Sequence, residues 1–383
     1  MGVRMDADSE MLRILGQMGS QDTQSRLEAV RYLGENGDDR AIQPLCEALL
    51  RDKSLDVRES AANSLSKIDI MGDSADALLK AIENHRDAEW KDEYCILTEV
   101  VMALGKVCTE HPNDAPFHSE VIEKLTEIML DSSLTLPETV QPREGFENGR
   151  CNAEAAIALG WVGDKSSIGS LVKAFSQNFD SYEFDKEGYD EEIACNYVDK
   201  NTLSRDDFIN HTSSWAMWSI GQIGHTDALP QLRKLLQDLR IKWDNDDCEY
   251  WELGLWASVV EAIGKCGNNS IHVYNPSDSL WDFIQHLIKT DSNNWIGVLR
   301  CSLLSALIEI DDSNLTRRLI EVLEEEEITS LHGLAAKALG EIGDTIAVKP
   351  LCDLIRHNID LWSDRGWAWP GYGSGIHVLG LAI

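Results

Sequence analysis

The sequence predicts an all-α chain, a right-handed α-solenoid (superhelix) of about eight to nine helical hairpins with long insertions in its central repeats. Three observations carry that expectation. A small–Leu–Gly segment recurs along the chain, each copy holds an apolar stripe at helical spacing, and the 383 residues include only 9 prolines. One hydrophobic core stops growing near roughly 250–300 residues, so a chain of this length needs two domains or an elongated array. Hydrophobic residues at 43% exclude a disordered chain despite the high charge.

The recurring segment reads AVRYLGENGDD (29–39), AANSLSKIDIM (61–71), VVMALGKVCTE (100–110) and AAIALGWVGDK (155–165). It continues as AMWSIGQIGHT (216–226), VVEAIGKCGNN (259–269), LLSALIEIDDS (303–313) and AAKALGEIGDT (335–345), and IHVLGLAI (376–383) is a partial copy. The glycine slot is filled by Gly34, Ser66, Gly105, Gly160, Gly221, Gly264, Ile308, Gly340 and Gly380. Its shortest spacing, 32 residues, occurs from Gly34 to Ser66 and again from Ile308 to Gly340. Two antiparallel helices of about 12 residues each, with their turns, fill such a unit. In the second helix, Ala61, Ala62, Leu65 and Ile68 form one apolar stripe. The small pair permits close helix approach, and a Gly-Asp after the last apolar residue ends the helix in several copies. The segments AIQPLCEALL, ALPQLRKLL and AVKPLCDLI then start the next hairpins.

VRESAANSLSKI and HGLAAKALGEIGDTIAVKPLCDLI resemble the short HEAT-like repeats first named from phycobilisome lyases. The resemblance spans about residues 10–360 and implies one repeat array over 1–383. Scaffolds, chaperones and enzymes share the repeat, so it carries fold further than function. Two insertions interrupt the array. Residues 131–150 hold two prolines and two glycines and read as a loop, and residues 177–207 form an acidic insertion rich in tyrosine and phenylalanine. Residues 360–383 form an atypical C-terminal partial repeat, in which Trp362, Trp367 and Trp369 precede the last copy.

A net charge of −32 repels phosphate backbones, which disfavours nucleic acid as a partner and favours a protein with a basic surface. The nine cysteines are scattered without a CxxC pair, arguing for a reducing compartment over a zinc ribbon or disulfide framework. The chain begins without the apolar run of a signal peptide and has no stretch near the roughly 20 apolar residues a membrane span requires. The expectation is a cytoplasmic protein without membrane association.

Helical geometry places Ser60, Asn63 and Lys67 opposite the stripe of Ala61, Leu65 and Ile68. Following those three slots through the array shows where the exposed face changes character. The first slot holds Glu99, Glu154 and Trp215 in successive copies, and the middle slot holds Met102, Ile157, Trp218 and Glu261. The last slot runs Lys67, Lys106, Trp161. Aromatic and apolar residues thus occupy positions where polar ones are expected. Trp161, Trp215 and Trp218, with Met102 and Ile157, form a candidate binding groove, and Glu99, Glu154 and Glu261 would orient a cationic partner. Packing of the same tryptophans against the insertions is the structural alternative.

Enzyme motifs are sparse. GxGxxG after a strand, the P-loop, GxSxG and HExxH are all absent. Deoxyhypusine hydroxylase, a metal enzyme on this fold, uses His-Glu pairs at the starts of second helices. The corresponding position here reads His332–Gly333, so no metal site, catalytic residue or cofactor is assigned. His111 and His118 read as a surface turn, and Glu324–Glu327 as a solvated helix end. The leading expectation is a protein-binding scaffold or adaptor. The resemblance leaves open an E/F-type phycobilin lyase or isomerase acting on an open-chain tetrapyrrole. An immunity or inhibitor protein against a basic enzyme also fits the charge.

Overall fold

The computed structural model describes residues 7–68, 74–86, 94–109, 118–131, 151–179, 212–245, 252–267, 280–285, 297–310, 314–324 and 330–365. Almost all of the 131–150 insertion, most of the 177–207 insertion, the turn holding Trp367 and Trp369 and the copy at 376–383 lie outside them. Among the described residues every regular element is helical, as an all-α HEAT-type solenoid requires. They fall into two compact units, one carrying the helices up to Ile223 and the other those from Gly224 onward.

The first unit holds α1 (Ala7–Gln17), α2 (Thr23–Asn36), α3 (Ile42–Arg51), α4 (Leu55–Ile68) and α5 (Ala75–Arg86). It continues with α6 (Tyr94–Thr109), α7 (His118–Leu130), α8 (Cys151–Val162), α9 (Ile168–Phe179) and α10 (Thr212–Ile223). Odd- and even-numbered neighbours pair as hairpins, and the second helices α2, α4, α6, α8 and α10 stack on one another in chain order. The second unit holds α11 (Leu229–Asp244), α12 (Glu252–Gly267), α13 (Gly297–Glu309), α14 (Leu315–Leu323), α15 (Ser330–Ile342) and α16 (Val348–Arg365). Its second helices α12, α13 and α15 stack in the same way.

A short turn between hairpins repeats with its chemistry intact. After α8, Gly163 takes φ +74° and donates its N–H to the Leu159 carbonyl. That left-handed cap suits glycine, which has no Cβ to clash. Asp164 then accepts the Ser166 N–H at 2.8 Å and starts a 3-10 turn that leads into α9. Gly343 (φ +71°) and Asp344 do the same before α16, and His225 replaces the aspartate before α11. The third residue after each capping side chain is small and buried: Ser167, Ala228 and Ala347.

Seams between second helices are set by the glycine slot. A Cβ on Gly160 would stand 2.8 Å from Ser219 Cβ, and one on Gly105 would stand 2.8 Å from Ala158 Cα. Gly264 meets Ala306 likewise, and Gly34 meets Ser64. In each case the partner lies two residues before the next copy's slot. Where it is serine, its hydroxyl donates to the carbonyl four residues before the facing glycine: Ser64 to Val30 at 3.0 Å and Ser219 to Ala156 at 2.7 Å. Both serines are buried, so the hydroxyl is satisfied without water. Ile308 fills this slot in α13, and α13 packs on α15 less extensively than on α12.

Two other contacts fix the first unit. Arg26 of α2 forms a bidentate pair with Asp52 after α3, at 2.7 and 2.9 Å, with both side chains largely buried. Buried Asn152 on α8 donates to the carbonyls of Ile128, Met129 and Asp131 and so closes the end of α7. His118 corrects an expectation. It opens α7 and lies largely buried, 4.0 Å from the Asp164 carboxylate, because the helix starts there and faces the next hairpin's turn.

Candidate functional site

The candidate face is built by α4, α6, α8 and α10, all within the first unit. Its geometry follows one register between adjacent second helices. Asn63 in the middle slot of α4 donates through Nδ2 to Glu99 Oε2 in the first slot of α6, at 3.0 Å. The second unit shows the same relation, Ser302 in the first slot of α13 donating to Glu261 in the middle slot of α12 at 3.3 Å. By this register Met102 adjoins Glu154, and Ile157 adjoins Trp215.

The side chains differ in exposure. Trp161, Trp215, Trp218, Met102, Glu99 and Glu154 are half-buried. Ile157 is 7% exposed, so it departs from the expected exposed position and acts as a floor. The cause is visible in α8. From Cys151 to Gly160 every residue except Glu154 is buried, because the helix is packed between α6 and α10 and against α7. Trp215 and Trp218, one turn apart on α10, meet edge to face with ring centroids 5.5 Å apart. That arrangement favours a quadrupolar contact and holds both rings in place.

Trp161 is seated differently. Its Cε3 lies 3.2 Å from where a Gly105 Cβ would stand, so the ring depends on the absence of a side chain there. The Lys106 ammonium lies over the same ring, 5.9 Å from its centroid.

Glu99 and Glu154 form an acidic pair. Burial pushes the Glu154 carboxyl above the ordinary glutamate range, and the Glu99 charge adds to the push. Among the described residues neither acid is paired with a cation. The Cys151 thiol next to Glu154 is fully buried and driven far up by desolvation and by the Glu154 charge, with a Thr98 hydrogen bond opposing. Burial likewise raises Cys108 to about 11 and Cys266 to about 12, which keeps these sulfurs as thiols.

Seven of the eight expected groove residues therefore belong to one unit. Glu261 lies on the second, exposed, holding Ser302. Asn63 and Lys106 engage the face through Glu99 and Trp161. Reading each slot against the next copy, and not alone, is the signal that identifies them.

Comparison with known families agrees with this architecture. A model of HEAT repeats matches residues 11–95, which run from within α1 into α6. The PBS lyase HEAT-like repeat matches 214–238, from α10 into α11, and 333–357, from α15 into α16. The chain is a HEAT-like repeat protein. The HEAT-like matches stop at 95 and resume at 214, so Glu99, Met102, Glu154, Ile157 and Trp161 lie in unmatched sequence while Trp215 and Trp218 lie within a match. No curated protein matches this HEAT-like chain. Among its described residues, no helix is long and apolar enough to cross a membrane.

Proposed function

We propose that this HEAT-like protein is a scaffold or adaptor whose second-helix face on α6, α8 and α10 docks another protein with a basic surface. The observation that carries the reading is three half-exposed tryptophans on the same face as an acidic pair that, among the described residues, has no cation partner. Tryptophan anchors in desolvated patches contribute about 2 kcal/mol or more each to an interface. Carboxylates beside them select positive charge and speed encounter in a chain of net charge −32. Cys46, Cys108, Cys151 and Cys266 are buried, as small apolar side chains of a reducing, cytoplasmic setting would be.

The test compares the wild type with Trp215→Ala/Trp218→Ala, each immobilised and exposed to native lysate, with retained proteins identified by mass spectrometry. The reading expects basic proteins that the variant loses and that high salt releases from the wild type. Equal retention by both would refute it. A visible-band shift on adding a bilin, lost in Trp218→Ala, would replace it with the tetrapyrrole reading.

A further inference from the structure

Resting on that docking reading, we infer that Lys106 is an internal competitor for the partner's cation, and that the Trp161 ring beneath it is the seat of an arginine side chain. The Lys106 ammonium lies 5.9 Å from the Trp161 centroid, within the range of a cation–π contact. Lys106 is exposed, and among the described residues it has no carboxylate partner. The nearby acidic pair does not draw it away for a geometric reason. Glu99 and Lys106 lie seven residues apart on α6, about 10 Å along the axis.

The ring does not depend on the lysine for its position. Trp161 rests on the bare backbone of Gly105 and is half-buried there. A flexible, solvated ammonium therefore covers a ring that is already in place. A partner's guanidinium would bind that ring better, because it is planar, stacks on aromatic faces and is more weakly hydrated than an ammonium. Docking would displace Lys106 into water at little cost. The distance between acidic pair and ring also sets a spacing. In a polyproline II peptide, with three residues per turn and a rise of about 3.1 Å each, side chains three residues apart share a face about 9 Å apart, so one arginine would reach Glu99 and Glu154 while a second reaches Trp161.

The probe is the capped hexapeptide Gly-Arg-Leu-Leu-Arg-Gly, titrated into the full chain by calorimetry, with its lysine counterpart as comparison. The expected results are tighter binding of the arginine peptide and a further gain of about two- to fivefold in Lys106→Gln. Trp161→Leu should weaken binding, and Lys106→Gln should give no gain in the Trp161→Leu background. Far-UV circular dichroism checks that each variant keeps its helices. Unchanged or weaker binding in Lys106→Gln overturns the inference, as does an equal gain with and without Trp161, which would make Lys106 a mere surface charge. In both cases the docking reading survives if Trp215→Ala/Trp218→Ala abolishes binding. Peptide affinity equal in the wild type and that double variant sinks the docking reading and the inference together.

Discussion

Replacing Gly160 with alanine should loosen the first unit, although alanine is the better helix former. An added Cβ would stand 2.6 Å from Ser219 Oγ, 2.8 Å from its Cβ and 2.9 Å from its Cα. Carbon atoms prefer separations of about 3.5–4.0 Å, so α8 and α10 must part by roughly 0.6 Å or more. The same shift stretches the buried 2.7 Å hydrogen bond from Ser219 to the Ala156 carbonyl. Overpacking of this kind costs about 1–3 kcal/mol, and a weakened buried hydrogen bond adds about 0.5–1.5 kcal/mol. Helix propensity returns about 1 kcal/mol. The expected net loss is therefore about 0.5–3.5 kcal/mol.

Gly169 supplies the control, since a Cβ there meets nothing within 4 Å, and Gly169→Ala should be neutral or slightly stabilising. Hydrogen exchange across α8 and α10, together with urea unfolding, reads the difference. Ser219→Gly should partly rescue Gly160→Ala, with a coupling of about 0.5 kcal/mol or more. If Gly160→Ala matches Gly169→Ala in stability and in exchange, the close approach of the two helices is wrong.

Asn152→Ala should cost about 2–3 kcal/mol, because carbonyls at the end of α7 lose their buried donor; faster exchange confined to α7 and α8 would confirm the site of damage. Asp164→Ala should cost about 1 kcal/mol through loss of the Ser166 cap, seen as a lowered melting temperature with unchanged helix content. Acid should weaken the first unit through Asp52, held below the ordinary carboxylate range first by the Arg26 hydrogen bond, and through Asp164, held down first by the Ser166 N–H. Their contribution is complete above the ordinary aspartate pKa and vanishes as pH falls through the lowered folded values, so Asp52→Asn should flatten the acid limb of a stability–pH curve. Glu154 runs the other way: its raised folded pKa gives stability that is full below the ordinary glutamate value and is lost as pH rises through the folded one. Glu154→Gln should therefore raise the melting temperature at neutral pH and remove that part of the pH dependence.

Much of this architecture could be read from residue pattern. The small–Leu–Gly copies located every described second helix, and Gly163-Asp164 and Gly343-Asp344 announced their turns because left-handed caps favour glycine and the following aspartate satisfies a free N–H. The tryptophans were also visible, since large aromatics at slots opposite a buried stripe break the expected polarity. Single-helix periodicity does not reveal what the neighbouring helix contributes. Ile157 looked exposed on an isolated α8, yet the flanking helices bury it. His118 looked like part of a turn because two prolines precede it, and only tertiary packing brings it near Asp164. Lys106 stands in the last slot as the polar residue expected there, and only the fold sets Trp161, 55 positions later in sequence, beneath it.

The glycine seams separate two tasks that most helical proteins assign to the same side chains. Spacing between successive second helices is set by backbone meeting backbone or a small side chain, at Gly34, Gly105, Gly160 and Gly264. Residues in the exposed slots have little part in fixing that distance. Those slots can therefore be rewritten, one at a time, on a lattice that stays put. Trp161 is the exception, because its ring rests on a seam glycine. A substitution at Gly105 would shift the lattice and the proposed docking face at once, whereas changes at Trp215 or Trp218 would leave the spacing alone.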